Sequence, residues 1–171
     1  MVDLVALDHL LSLKLQTLSG PPWAAAIFAT ASEPLAALVV IPFAARYAYR
    51  GGRDARRNLV AAAVVLLLTD LISGVVLKNA FPRIRPNGTS AAFPSSHAAN
   101  AGGQACFFSW RHPRYAILFF APALLVCVSR VALGKHWPSD VIAGMLVGLF
   151  AGTLVDQALR FLDRPAKLPE L

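Results

Sequence analysis

Two histidines, three cations and a carboxylate fall in three short stretches of this 171-residue chain. The first stretch is Lys78, six residues, then Arg85-Pro86. The second is Pro94-Ser95-Ser96-His97, and the third is Ser129-Arg130, five residues, His136, three residues, Asp140. Side chains of these types could transfer a phosphoryl group without a metal. Such a group spreads negative charge over its equatorial oxygens in the transition state, so the work is positioning and electrostatic stabilisation. Lys78 offers a point cation, while Arg85 and Arg130 each offer a planar, bidentate fork. Ser95 suits an N-cap, which puts Ser96 and His97 in the first turn of a helix whose N–H groups seat an anion. His97 is then expected to face the same cradle as a general acid. His136 stands just before Pro138 at another helix start. Asp140, four residues on, is expected to reach back to one imidazole nitrogen and leave the other free to attack.

Each piece alone has an ordinary explanation. An arginine before proline is usually a solvated loop cation, a Pro-Ser-Ser-His run usually starts a helix, and a His–Asp pair is usually local hydrogen bonding. The three in order are harder to dismiss, and each falls at the edge of an apolar span.

Those spans dominate the composition. The chain is 57% hydrophobic and 15% charged, with a mean hydropathy of +0.58, too apolar for an ordinary soluble domain. The net charge of +7 would invite nucleic acid on a soluble protein. Here the cations lie in loops between apolar spans without interleaved aromatics, which speaks for topology and against a nucleic-acid partner. Cys106 and Cys127 sit inside apolar spans without metal-type spacing and read as small buried hydrophobes.

The pattern predicts an all-α, single-domain membrane bundle over 1–171. An amphipathic helix over 3–19 is expected to lie in the interface, with Leu4, Leu7, Leu11, Leu15 and Leu18 on one stripe and Asp8, Ser12, Gln16 and Ser19 opposite. Asp3 and Asp8 argue against a secretory signal. Five spans follow within 23–159: residues 23–47, 59–78, 96–110, 115–133 and 138–159, then a cytoplasmic tail, 160–171. The third, about 22 Å at the helical rise, is short of a hydrocarbon core. Gly144, Gly148 and Gly152 give the fifth a face that admits another helix closely, read here as packing. Ten of the sixteen cations fall in the loops after spans one, three and five, which predicts those loops to be cytoplasmic and the three motifs to face outward, away from the cytoplasm.

The three stretches resemble the three signature motifs of the type 2 phosphatidic acid phosphatase superfamily, the membrane lipid-phosphate phosphatases. The match runs from Lys78 to Asp140. The resemblance implies a two-step, metal-independent hydrolysis with no cofactor. His136 is the nucleophile and forms a phosphohistidine, oriented by Asp140. His97 protonates the leaving group and assists the water, and Lys78, Arg85, Ser95, Arg130 and the N–H groups of Ser96 and His97 hold the phosphate. The second motif departs from the common pattern, with Ser96 where glycine is usual. The family commonly has six spans, against five and a surface helix here.

Two further residues stand out. Asp70, a carboxylate within a span, is expected to hydrogen-bond polar groups below the site, about two turns beneath Lys78. Arg83 is either a second phosphate ligand or an interfacial anchor. Glu33 beside Pro34 relieves a helix kink or lines a lipid groove, while His9 and His112 have no catalytic partners. The expected partners are the bilayer and a lipid phosphate. The outward-facing site resembles that of bacterial undecaprenyl diphosphate phosphatases of the inner membrane, with phosphatidylglycerol phosphate, phosphatidic acid and lipid A as alternatives. A vanadium-dependent haloperoxidase and a non-catalytic lipid-binding protein are the readings from other classes.

Overall fold

The computed structural model describes residues 3–32, 37–88 and 91–164. Helices account for most of them: α1 (Leu4–Gln16), α2 (Pro22–Ser32), α3 (Ala37–Arg50), α4 (Gly52–Ala80), α5 (Ser96–Arg111), α6 (Ala116–Ala132) and α7 (Pro138–Leu162). Among the described residues there is no strand, only an isolated bridge between Ile84 and Ala91 in the α4–α5 loop.

Short side chains explain the centre of the bundle. α5 is lined by Ala98, Ala99, Gly102, Gly103 and Ala105, all buried, and it packs along α7 as well as on α4 and α6. The contact with α7 is backbone on backbone. A Cβ placed on Gly144, Gly148 or Gly152 would come within 2.3, 2.3 and 2.6 Å of the carbonyls of Ser95, Ala99 and Gly103. The glycine face is therefore packing, as the spacing predicts. Large apolar side chains point the other way: Ile117, Leu67 and Phe150 are exposed, which suits a surface bathed in hydrocarbon rather than water.

The span pattern holds for the second, fourth and fifth expected spans and is revised for the first and third. Three helical stretches are long and apolar enough to cross a membrane: Gly52–Ala80, Pro113–Ala132 and Pro138–Leu162. α5 has 16 residues, about 24 Å at the helical rise, against about 30 Å of hydrocarbon. It is enclosed by its neighbours instead of meeting lipid along its length. The predicted first span corresponds to α2 and α3. Glu33 and Pro34 lie outside the described residues, as does the tail from residue 165.

Within α4 the winding loosens to a π-helix over Asp70–Leu77 before a last α-turn at Lys78–Ala80. The change starts where Thr69 and Ser73 donate their hydroxyls to the carbonyls of Val65 and Thr69 at 2.9 and 2.6 Å, side-chain bonds that compete with the helix ladder.

α1 corrects the expectation for its faces. Asp8 and Ser12 are buried against the bundle, while Leu7, Leu11 and Leu18 are exposed. The polar stripe is the inner one because it meets polar partners on α6, α7 and the α4–α5 loop: Ser19 donates to the Ala132 carbonyl and Ser139 to Asp8.

The arginine-rich ends of α3, α4, α5 and α7 gather at one end of the bundle. Arg57 forks onto Asp163 at 2.5 and 2.9 Å. Arg111 and Arg160 flank the fully buried Asp156 at 3.0 and 2.6 Å. Tyr47 links Asn58 to His112, at 3.0 Å from each. The three motifs converge at the opposite end.

Candidate active site

The motif residues come together from the end of α4, the loop that leads to Ser95, the start of α5, the end of α6, the turn that follows it and the start of α7. Ser95 caps α5 as its sequence predicts, accepting from the Ala98 N–H at 3.4 Å. The first backbone bond of α5 is Ala99 N–H to the Ser95 carbonyl, so the N–H groups of Ser96 and His97 precede the helix ladder and remain available to an anion. Ser95 itself is fully buried, and its own N–H donates to the Asp140 carbonyl at 3.0 Å. The Ser96 hydroxyl is buried without a hydrogen-bond partner. His97 is exposed, at the mouth.

The cations form a shared field. Arg85, Arg130 and Asp70 act electrostatically on Lys78, while Arg130, His136, Lys135 and Lys78 act on His97. Arg85, Arg130 and Asp140 act on His136. Arg130 is 4% exposed, held at the end of α6. The tight turn after it returns the chain through the N–H groups of Lys135 and His136, both donating to the Arg130 carbonyl at 3.0 and 3.1 Å. Gly134, with φ +63°, occupies that turn because L side chains rarely adopt the left-handed region.

His136 is 1% exposed. Its Nδ1 lies 2.9 Å from the Ala92 carbonyl. A carbonyl only accepts, so Nδ1 carries the proton and Nε2 keeps its lone pair. Burial, the largest influence, holds the imidazole below its usual range. Arg85 and Arg130 add to this, and Asp140 opposes it.

The Asp140 expectation needs correcting. Its carboxylate stands 3.8 Å from His136 Nδ1, beyond hydrogen-bond range. One oxygen accepts instead from the Trp137 N–H at 2.9 Å, the usual backward bond of an acid in the third helical position. The other accepts from Arg83 at 2.8 Å. The partner that fixes the His136 tautomer is thus a backbone carbonyl in the α4–α5 loop, which side-chain spacing could not reveal. Arg83 is likewise not disposed as a phosphate ligand: its guanidinium donates to Ser139, Asp140 and Asp8 and stacks over Trp137.

Asp70 accepts from the Asn100 amide at 2.9 Å, and Thr69 donates to the same Asn100. The expected hydrogen bond to polar groups below the site is present, although Asp70 is exposed. Asn100, Asp8, Ser139 and the Ala92 carbonyl are the site's neighbours that the sequence reading passed over. The signal for Asn100 was an amide within an apolar helix, which needs a partner. Cys106 and Cys127 are free and buried, as expected.

A family model, the PAP2 superfamily, matches residues 58–162, which hold every motif residue. The chain belongs to the PAP2 superfamily. It is 32% identical over 140 residues to the lipid A 1-phosphatase of Rhizobium johnstonii, covering 68% of this chain and 57% of that protein. It is 31% identical over 124 residues to the undecaprenyl-diphosphatase of Sulfolobus acidocaldarius, covering 67% and 57%. The chain thus spans little more than half of each of these two relatives. The crystal structure of a transmembrane PAP2 type phosphatidylglycerolphosphate phosphatase from Bacillus subtilis superposes with a TM-score of 0.67 at 24% identity, covering 97% of this chain and 90% of that one. This likeness establishes the helical PAP2 fold of a membrane protein.

Proposed function

We propose that this PAP2 chain hydrolyses a terminal phosphate from a membrane lipid through a phosphohistidine at His136. The observation that carries the reading is the buried His136, with Nδ1 turned to the Ala92 carbonyl and Arg85 and Arg130 acting on its ring. In the first step Nε2 attacks phosphorus and the bond from phosphorus to the lipid-side oxygen breaks. His97 gives that oxygen its proton. In the second step water attacks the phosphoimidazole, its proton passes to His97, and inorganic phosphate leaves with the P–N bond electrons returning to Nε2. Lys78, Arg85 and Arg130, with the Ser96 and His97 N–H groups, hold the phosphoryl oxygens throughout.

The substrate proposed first is undecaprenyl diphosphate, supported by the relative of that name. A lipid A phosphate is the second reading, supported by the Rhizobium relative. Because Arg83 is engaged with Asp8 and Asp140, it gives no support to a diphosphate over a monophosphate. The proposed location is a bacterial inner membrane with the motif end facing the periplasm, supported by the arginine cluster at the opposite end.

The test is phosphate release in detergent micelles containing EDTA. Undecaprenyl diphosphate, lipid A, phosphatidylglycerol phosphate and phosphatidic acid are compared, each against His136→Ala. Turnover that vanishes in the variant supports the reading, and the ranking names the lipid. Undiminished turnover in His136→Ala overturns the mechanism.

A further inference from the structure

α1 reaches the chemistry through one arginine. Arg83 Nη2 donates to Asp8 Oδ2 at 2.6 Å, and Nη1 donates to Asp140 Oδ1 at 2.8 Å and to Ser139 Oγ at 2.6 Å. Ser139 closes the ring, giving its backbone N–H to Asp8 Oδ1 at 2.9 Å and its hydroxyl to Asp8 Oδ2 at 2.6 Å. Asp140 is fully buried and Asp8 is 7% exposed. A guanidinium that bridges two such carboxylates from different helices is held in a geometry that a lone surface pair would not enforce.

We propose that Arg83 and Asp8 are positioning residues for the His136–Asp140 pair, making α1 a working part of the site. The inference rests on the family reading of His136 as the nucleophile. Arg83 and the Trp137 N–H together fix both oxygens of Asp140. The carboxylate is thereby kept 3.8 Å from His136 Nδ1, while Nδ1 stays on the Ala92 carbonyl. Asp140 then steadies positive charge as it develops on the ring without trapping a resting imidazolium. Asp8 shares the Arg83 charge and so sets how much of it Asp140 feels.

The groups facing His136 are Arg85 from the α4–α5 loop, Arg130 from α6, Asp140 from α7 and His97 from α5. With those unchanged, removing Arg83 leaves Asp140 uncompensated beside the ring and favours the imidazolium. Removing Asp8 leaves Arg83 to act more fully on Asp140 and has the opposite sign. Loosening of the fold alone would not give opposed shifts.

The experiment is a titration of His136 by NMR in the histidine-labelled full chain in micelles, with its signal assigned by its loss in His136→Gln. Arg83→Gln is expected to raise the His136 midpoint by about half a unit or more, and Asp8→Asn to lower it. Shifts of the same sign, or none beyond about 0.2 unit, overturn the proposal. Turnover is read beside it: Arg83→Gln is expected to lower kcat about tenfold or more, with KM within about threefold. A raised KM at unchanged kcat would make Arg83 a phosphate ligand and overturn the positioning role. If Arg83→Gln does not fold, Arg83→Lys retains the charge without the fork and is expected to lower kcat with a smaller upward shift. Opposed shifts without turnover in any form would uphold the clamp and defeat the phosphatase reading instead.

Discussion

As the proposed nucleophile, His136 is prepared by its surroundings more than by its own chemistry. A neutral imidazole is needed for attack, and burial holds this one below its usual range. At pH about 6.5, where an ordinary histidine is half-protonated, more than half of His136 is therefore expected to be neutral. Loss of nucleophilic reactivity is expected only on approach to that lowered midpoint. Single-turnover formation of the phosphoenzyme should therefore keep more than half its maximal rate at pH 6.5, and an acid limb centred at or above that value would contradict the burial argument. Asp140→Ala is expected to lower turnover by about 10²-fold or more, since it removes the carboxylate near the ring and leaves Arg83 held by Asp8 and Ser139 alone. Steady-state kinetics on refolding-competent protein would check it. At this scale the side chains of the proposed site, which the fold brings together, were legible in the sequence, because their types and offsets are what phosphoryl transfer demands. The sequence could not expose the Ala92 carbonyl, since every residue carries one, nor the turning of Asp140 toward Trp137 and Arg83, which depends on where the α4–α5 loop returns against the start of α7.

Among the elements, the α5–α7 contact decides how firmly the anion seat is held. Gly144 meets the Ser95 carbonyl and Gly152 meets that of Gly103, so the same substitution has different consequences along one face. Gly152→Ala should destabilise by about 1–3 kcal/mol with kcat changed little in the folded fraction. Gly144→Ala should cost similar stability and also lower kcat, because it displaces the cap of the helix that carries His97. Thermal unfolding in micelles paired with activity separates the two. The glycine spacing and the short third span were readable from the sequence. The inward turn of α1's polar stripe was not, because a period of 3.6 identifies two faces without saying which neighbour each will meet.

Across the whole molecule, the two ends do different work. The basic end keeps a fully buried carboxylate, Asp156, between Arg111 and Arg160. Asp156→Ala is expected to cost about 3–5 kcal/mol by leaving buried positive charge uncompensated, while KM stays unchanged. Breaking the half-exposed Arg57–Asp163 pair should cost no more than about 1 kcal/mol. Both are read by thermal unfolding. For the proposed orientation, Asn87→Cys should react with a membrane-impermeant thiol reagent on intact cells and Arg53→Cys only after permeabilisation; the reverse pattern would invert the topology.

The tie between α5 and α7 has a consequence for what lengths the chain can take. Ser95 bonds the Asp140 carbonyl at one end, and Arg111 pairs with Asp156 at the other. The two helices run parallel, and both intervals contain the same number of residues. They act as matched rulers. One inserted residue turns a helix by about 100° and lengthens it by about 1.5 Å, so an insertion in either helix alone would break one end or the glycine face between. Change in length has to occur in both together or be left to the loops.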